Sequence, residues 1–170
     1  MRIIVEDGTG VVGANSYSSL EYADNYFSTH EFHSDEWEDT DILTRQSLLV
    51  SGTRSLDLMF DWEGFPLYLE QNLGFPRQRI WSSSYRVWLN PLIIPSRLKD
   101  ATCEMAMYLK KGDPFKPAES EGLESLKIDV IELKFSNSSS KTPVPQAVLP
   151  LLRGLGEYIY GKRSGKVLVG

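Results

Sequence analysis

The chain has 170 residues, of which 41% are apolar and 11% aromatic, and a formal net charge of −5. That length suits one domain and that composition supplies a core, which excludes a disordered polymer. No apolar run approaches the ~20 residues that cross a bilayer, and MRIIVEDGTG meets acid at Glu6, so a soluble protein without signal peptide or membrane span is expected.

Charge is unevenly spread. Residues 1–63 carry 13 acids against Arg2, Arg45 and Arg54, while residues 64–170 carry 15 bases and 10 acids. This reads either as chance plus solubility or as unlike faces that meet between neighbouring copies, where opposed patches set register.

Arg2 to Val5 is a short β-prone run closed by the Asp7-Gly8 turn signal. A helix over 18–29 follows, with Ser18 and Glu21 spaced as a capping box and Leu20, Ala23 and Phe27 on one face. His30 to Asp39 reads as a solvated acidic loop anchored by Trp37. Its His30 and His33 lack an HExxH spacing, so no metal site is expected there.

Thr40 or Asp41 caps a second helix over 41–60, whose Ile42, Leu49 and Leu56 repeat every seven residues and predict a broad apolar face. Gly52 in its middle reads as a close approach of another backbone or as a local weakness. The segment 61–94 is aromatic and broken by Pro66, Pro76 and Pro91, a long loop of the kind that carries function.

A third helix, 95–111, begins at Pro95 and ends at Gly112. It holds Cys103, the single cysteine, which rules out an intrachain disulfide and reads as a small core hydrophobe. Over 124–136 the apolar alternation slips one residue at Val130-Ile131, the mark of a bulge or hairpin. A last short helix is expected over 145–156, with Pro150 near its first turn. The tail, 159–170, reads as a solvated terminus or as an arm that adds a strand to another subunit. Its β-branched Val167 and Val169 favour the arm.

Phosphate-loop and dinucleotide motifs are absent from the sequence, as is a G-x-S-x-G elbow. The expectation is a non-enzyme with no catalytic residue, metal ligand or cofactor. Arg77, Arg79, Trp81, Tyr85, Arg86 and Trp88 interleave cations with aromatics, as single-strand binders do. The same residue types anchor protein interfaces, and a pI near 5.1 argues for intersubunit or tail contact instead.

Several stretches resemble one family of small phage-encoded proteins, labelled DnaT-like single-stranded-DNA-binding proteins. They are IIVEDGTG, NSYSSLEYADNYF, Trp37, LLVSGTRSLD, Trp62-Glu63-Gly64, Gln71 with Gly74-Phe75-Pro76-Arg77, IPSRLKDATCEMA and VPQAVLPLLRGL. Asn15 stands where the motif often has aspartate.

The resemblance implies a head–tail connector, or adaptor, of a tailed bacteriophage. Its fold would be mainly α, a small bundle of about four helices with a short β-hairpin excursion and an extended C-terminal arm. Residues 1–158 would be the connector domain and 159–170 the arm. Copies would form a ring, often dodecameric, beneath the portal protein. That ring would complete the head and dock tail or nozzle proteins around a channel that passes genomic DNA without sequence-specific binding. The place would be the virion neck, and the host cytoplasm during assembly. Portal binding would fall to Lys162, Arg163, Lys166, Val167, Leu168 and Val169 of the arm. The alternative is a single-stranded-DNA-binding replication accessory that uses Arg77, Arg79, Trp81, Arg86 and Trp88.

Overall fold

A computed structural model describes residues 2–30, 33–112 and 144–159. The expected β element at 124–136 and the arm residues Lys162, Arg163, Lys166, Val167, Leu168 and Val169 lie outside the described residues.

The first helix, α1 (Leu20–Ser28), is capped by Ser19 and not by Ser18, because Ser18 turns into the core. There its Oγ lies 3.5 Å from the buried Cys103 Sγ. Burial pushes the Cys103 thiol up to about 12, which suits an inert core position. The acidic segment expected to be a loop contains a short helix, α2 (Ser34–Glu38). Trp37 anchors it as expected: the ring is buried and its Nε1 donates to Asp24 Oδ1 at 2.7 Å. Arg45 Nη1 donates to the same oxygen at 2.9 Å and its guanidinium lies 5.8 Å from the Trp37 ring centroid.

Asp41 caps α3 (Ile42–Met59), accepting from the Thr44 N–H. Its buried stripe, Leu49, Gly52, Leu56 and Met59, is narrower than the heptad count implied, since Ile42 and Leu58 remain exposed. Gly52 is a close approach: a Cβ there would stand 3.0 Å from Thr102 O and 3.2 Å from Ala106 N of α4 (Ser96–Lys110). The absence of a side chain lets the two backbones pack directly. A single packed seam therefore joins the two longest helices, and α4 is buried nearly all round.

The expectation of a mainly α bundle is overturned. Among the described residues the fold is mixed α/β, with 5 helices, 42% helix and 13% strand in several small sheets. Strands β1 (Phe60–Trp62), β2 (Phe65–Pro66), β3 (Arg77–Gln78), β4 (Trp81–Ser82) and β5 (Val87–Trp88) fall in the segment read as an irregular loop, apart from Phe60, read as the end of the second helix. These strands are two or three residues long, too short to show a period of two in the sequence. Chain order pairs β2 with β3 and β4 with β5, both antiparallel.

The last helix is also shorter than 145–156. It is α5 (Val148–Leu152), after which Gly154 takes a φ of +77° and the chain turns back as β6 (Gly156–Tyr158). This strand pairs antiparallel with β1, Trp62 opposite Gly156. Gly156 is required there, because an added Cβ would lie 2.7 Å from the Trp62 ring and 2.8 Å from Asp61 O. One apolar core joins α3, α4, α5 and the strands through Leu56, Phe60, Phe75, Ile80, Met105 and Leu152. A second lies between α1, α2, α3 and α4, around Phe27, Trp37 and Leu49.

Candidate nucleic-acid interface

The corner that orients the strands is built on a half-buried carboxylate. Asp57 Oδ1 accepts from Tyr17 Oη at 2.6 Å and from Trp62 Nε1 at 2.9 Å, and its Oδ2 accepts from Gly74 N at 3.0 Å. Tyr17 Oη in turn accepts from Phe75 N at 3.1 Å. Four separate sequence stretches, NSY, SLD, WEG and GFP, thus converge on one residue. Gly74 must be glycine, since a Cβ would lie 2.4 Å from Trp62 Nε1. Burial raises the Asp57 carboxyl above its ordinary value, against the lowering effect of its donors and of Arg77.

Glu6 plays a similar part nearby. Fully buried, it accepts from the backbone N–H groups of Gly8, Gly10 and Val11 at 2.9 Å each. The EDGTG stretch is therefore a loop wound on its own carboxylate.

Arg77 belongs to this corner. Its guanidinium donates to the carbonyls of Trp62, Glu63, Gly64 and Gly74 at 2.7–3.3 Å, so its donors face its own chain. It locks β3 against the turn after β1. Arg79, at a φ of +60°, faces a cleft it shares with Asp61, Glu63 and Glu157. Neither arginine lines the cleft beside Trp81.

The remaining four predicted residues do come together, on the β4–β5 hairpin. Trp81 and Trp88 are directly opposite, their rings 5.2 Å apart and edge to face at 70°. Such a pair contributes ~0.5–1.5 kcal/mol beyond its burial, yet Trp81 is 45% and Trp88 64% exposed. Tyr85, 79% exposed, and Arg86, at a φ of +53°, occupy the turn between them. The hairpin is tied down at its base, where Ile80 is buried, Leu89 packs on the core, and Leu89 N donates to Ile80 O at 2.9 Å. A hairpin anchored at its base therefore carries three exposed aromatic rings and a cation.

Beside the hairpin lies a cleft of about 590 Å³ bounded by Trp81, Ser82, Ser83 and Ser84 on one wall and by Arg97, Pro150 and Arg153 on the other. Arg97 Nη1 donates to the Arg153 carbonyl at 3.1 Å, which links the first turn of α4 to the end of α5. Among the described residues that line it, no carboxylate occurs, whereas the clefts on either side of β1 contain Glu63 and Glu157. Sequence reasoning missed Arg97 and Arg153. They lie 56 positions apart and flank no aromatic in the chain, so no local pattern marks them.

Fold and site together define a small mixed α/β domain that displays aromatic side chains on a hairpin beside an arginine-lined cleft. Over residues 1–169 the chain matches the family described as "Putative DnaT-like ssDNA binding protein", and it belongs to that family. No curated protein and no solved structure matches it.

Proposed function

We propose that the protein binds single-stranded DNA, with the β4–β5 hairpin as its stacking platform. The observation that carries this reading is the solvent exposure of Trp81, Tyr85 and Trp88 on a hairpin anchored at its base. Exposed rings on an anchored support stack bases of any sequence, each stacked base contributing ~1–3 kcal/mol. Arg86 in the turn supplies charge for the backbone. The name of the family is in accord with this reading, which was the second of the two drawn from the sequence. Titration with an oligothymidylate tests it: quenching of tryptophan fluorescence that saturates and is reversed by salt is expected. Unchanged emission at high oligonucleotide concentration, with no complex by native gel, would exclude the platform.

A connector role is a second reading, favoured by a separate surface. Val12, Leu69, Leu92 and Ile93 are exposed apolar side chains around the loop at 8–13, where Gly8 abuts Leu92 O and Gly10 abuts the Tyr68 ring. Single-strand binding on the hairpin makes no use of them. A ring of copies on a portal protein, facing tail proteins, would cover such a surface. Mixing the protein with portal and weighing the product decides the matter, and a monomer indifferent to portal would count against the connector.

A further inference from the structure

We propose that the cleft between the β4–β5 hairpin and α5 is a phosphate seat, which holds a nucleic-acid phosphate while the attached base lies on Trp81. The inference rests on the single-strand reading and adds a site to it. Three observations converge. Arg97, Arg153, Ser82, Ser83 and Ser84 line the cleft, with no carboxylate among the described lining residues of an acidic chain, while Arg153 also borders the next cleft, which contains Glu63 and Glu157. Arg97 is already held, through its bond to the Arg153 carbonyl, so little side-chain freedom remains to be lost on binding. It also stands in the first turn of α4, a helix that carries no side-chain cap and no acid in that turn, so the positive end of its dipole is unanswered by charge.

An anion is the ligand this chemistry recognises. Trp81 at the rim selects among anions, because its half-exposed ring offers a stacking face next to the charge. Phosphate with a base attached satisfies both features, and arginine matches phosphate oxygens with paired donors. The phosphate is either an internal diester or a terminal monoester of the strand, and the two differ in what they predict.

The test compares the whole protein with an Arg97→Gln/Arg153→Gln double variant and an Arg97→Lys/Arg153→Lys variant. Each is titrated with unphosphorylated and 5′-phosphorylated oligothymidylate, and with thymidine monophosphate followed by phosphorus NMR. The glutamine variant is expected to bind the strand at least ~10-fold more weakly, with a salt slope shallower by ~0.7 for each phosphate that it no longer neutralises. Partial rescue by lysine would show that charge acts beyond packing. A gain from the 5′-phosphate in the wild type that vanishes in the variant would identify the terminal group. Equal binding of both oligonucleotides by the wild type, with the variant still weakened, would identify an internal one.

Unchanged affinity in a glutamine variant that melts like the wild type would overturn the seat and leave the platform standing. Should the wild type ignore oligonucleotides yet shift the phosphorus signal of thymidine monophosphate, the strand reading falls while the anion site survives. Silence in both assays removes both.

Discussion

At the scale of single residues, Asp57 carries the most consequence. Its two oxygens gather Tyr17, Trp62 and Gly74, and Tyr17 passes the network on to Phe75. Replacing Tyr17 by Phe leaves one acceptor site on the carboxylate and the Phe75 N–H without their partner. A loss of ~1–3 kcal/mol in urea denaturation is expected, and a change under a few tenths would mean water replaces the hydroxyl. The carboxyl also sets a pH dependence. Its folded value is raised by burial, so the folded chain holds this proton more tightly than the unfolded one. Its contribution is therefore fullest below the unfolded carboxylate range. It declines as pH rises through the folded value and is flat above. Asp7 and Asp41 act in the opposite sense, since each is lowered by hydrogen bonds, to Thr9 and Thr44 respectively. The difference between wild type and Asp57→Asn isolates the Asp57 contribution. That difference should shrink with rising pH across this window, on top of a constant loss because the amide cannot accept from Gly74 N. Parallel stability curves would place the Asp57 value at its ordinary position.

Among elements, the α3–α4 seam and the β4–β5 hairpin pose opposite demands. At the seam, Gly52→Ala adds ~1 kcal/mol of helix propensity but sets a Cβ 3.0 Å from a backbone carbonyl that cannot swing away. Overpacking of this kind costs ~1–3 kcal/mol, so a net loss in thermal stability is expected, and a stabilised variant would show that the helices can separate. In the hairpin the contrary holds. Trp88 is largely exposed, so Trp88→Ala should cost no more stability than the ~0.5–1.5 kcal/mol of its edge-to-face pair with Trp81, while lowering oligothymidylate affinity about 5- to 100-fold, the contribution of one stacked base. Lost stability with intact affinity would make the tryptophan pair a structural clasp.

For the whole molecule, electrostatics decides how DNA would be met. The chain is acidic overall, and three carboxylates, Asp61, Glu63 and Glu157, share a cleft with Arg79. Attraction therefore has to be local, through Arg86, Arg97 and Arg153 around the hairpin. Each phosphate neutralised contributes ~0.7 to the slope of log affinity against log salt on single strands, so a slope near −2 is expected between ~50 and ~200 mM salt. A slope near zero would mean that stacking acts without phosphate neutralisation. A much steeper one would require cations beyond these three.

Local chemistry by itself located the two long helices, α3 and α4, and where they start, but it put the α1 cap at Ser18, missed α2 and made the last helix too long. Asp41 and Pro95 stand where the caps and first turns were read, Trp37 anchors its segment, and Cys103 is in the core. Such features depend on neighbours within a turn or two, which a sequence displays directly. The same local logic grouped Trp81, Tyr85, Arg86 and Trp88, together with Arg77 and Arg79, which the fold places elsewhere. What it could not reach were pairings between distant segments. β1 meets β6 although Phe60 and its partner Tyr158 are 98 positions apart, and Asp57 collects donors from 17 residues ahead and 40 behind. Arg77, read as facing a neighbour, is instead turned inward by four carbonyls, because a guanidinium can bond several at once. Arg97 and Arg153 share a cleft only because α4 and α5 pack together. Elements declare themselves through short-range periodicity and capping. The burial of apolar faces decides which remote residues those elements bring together, and here that step turned a predicted helical bundle into a mixed fold with a cationic cleft.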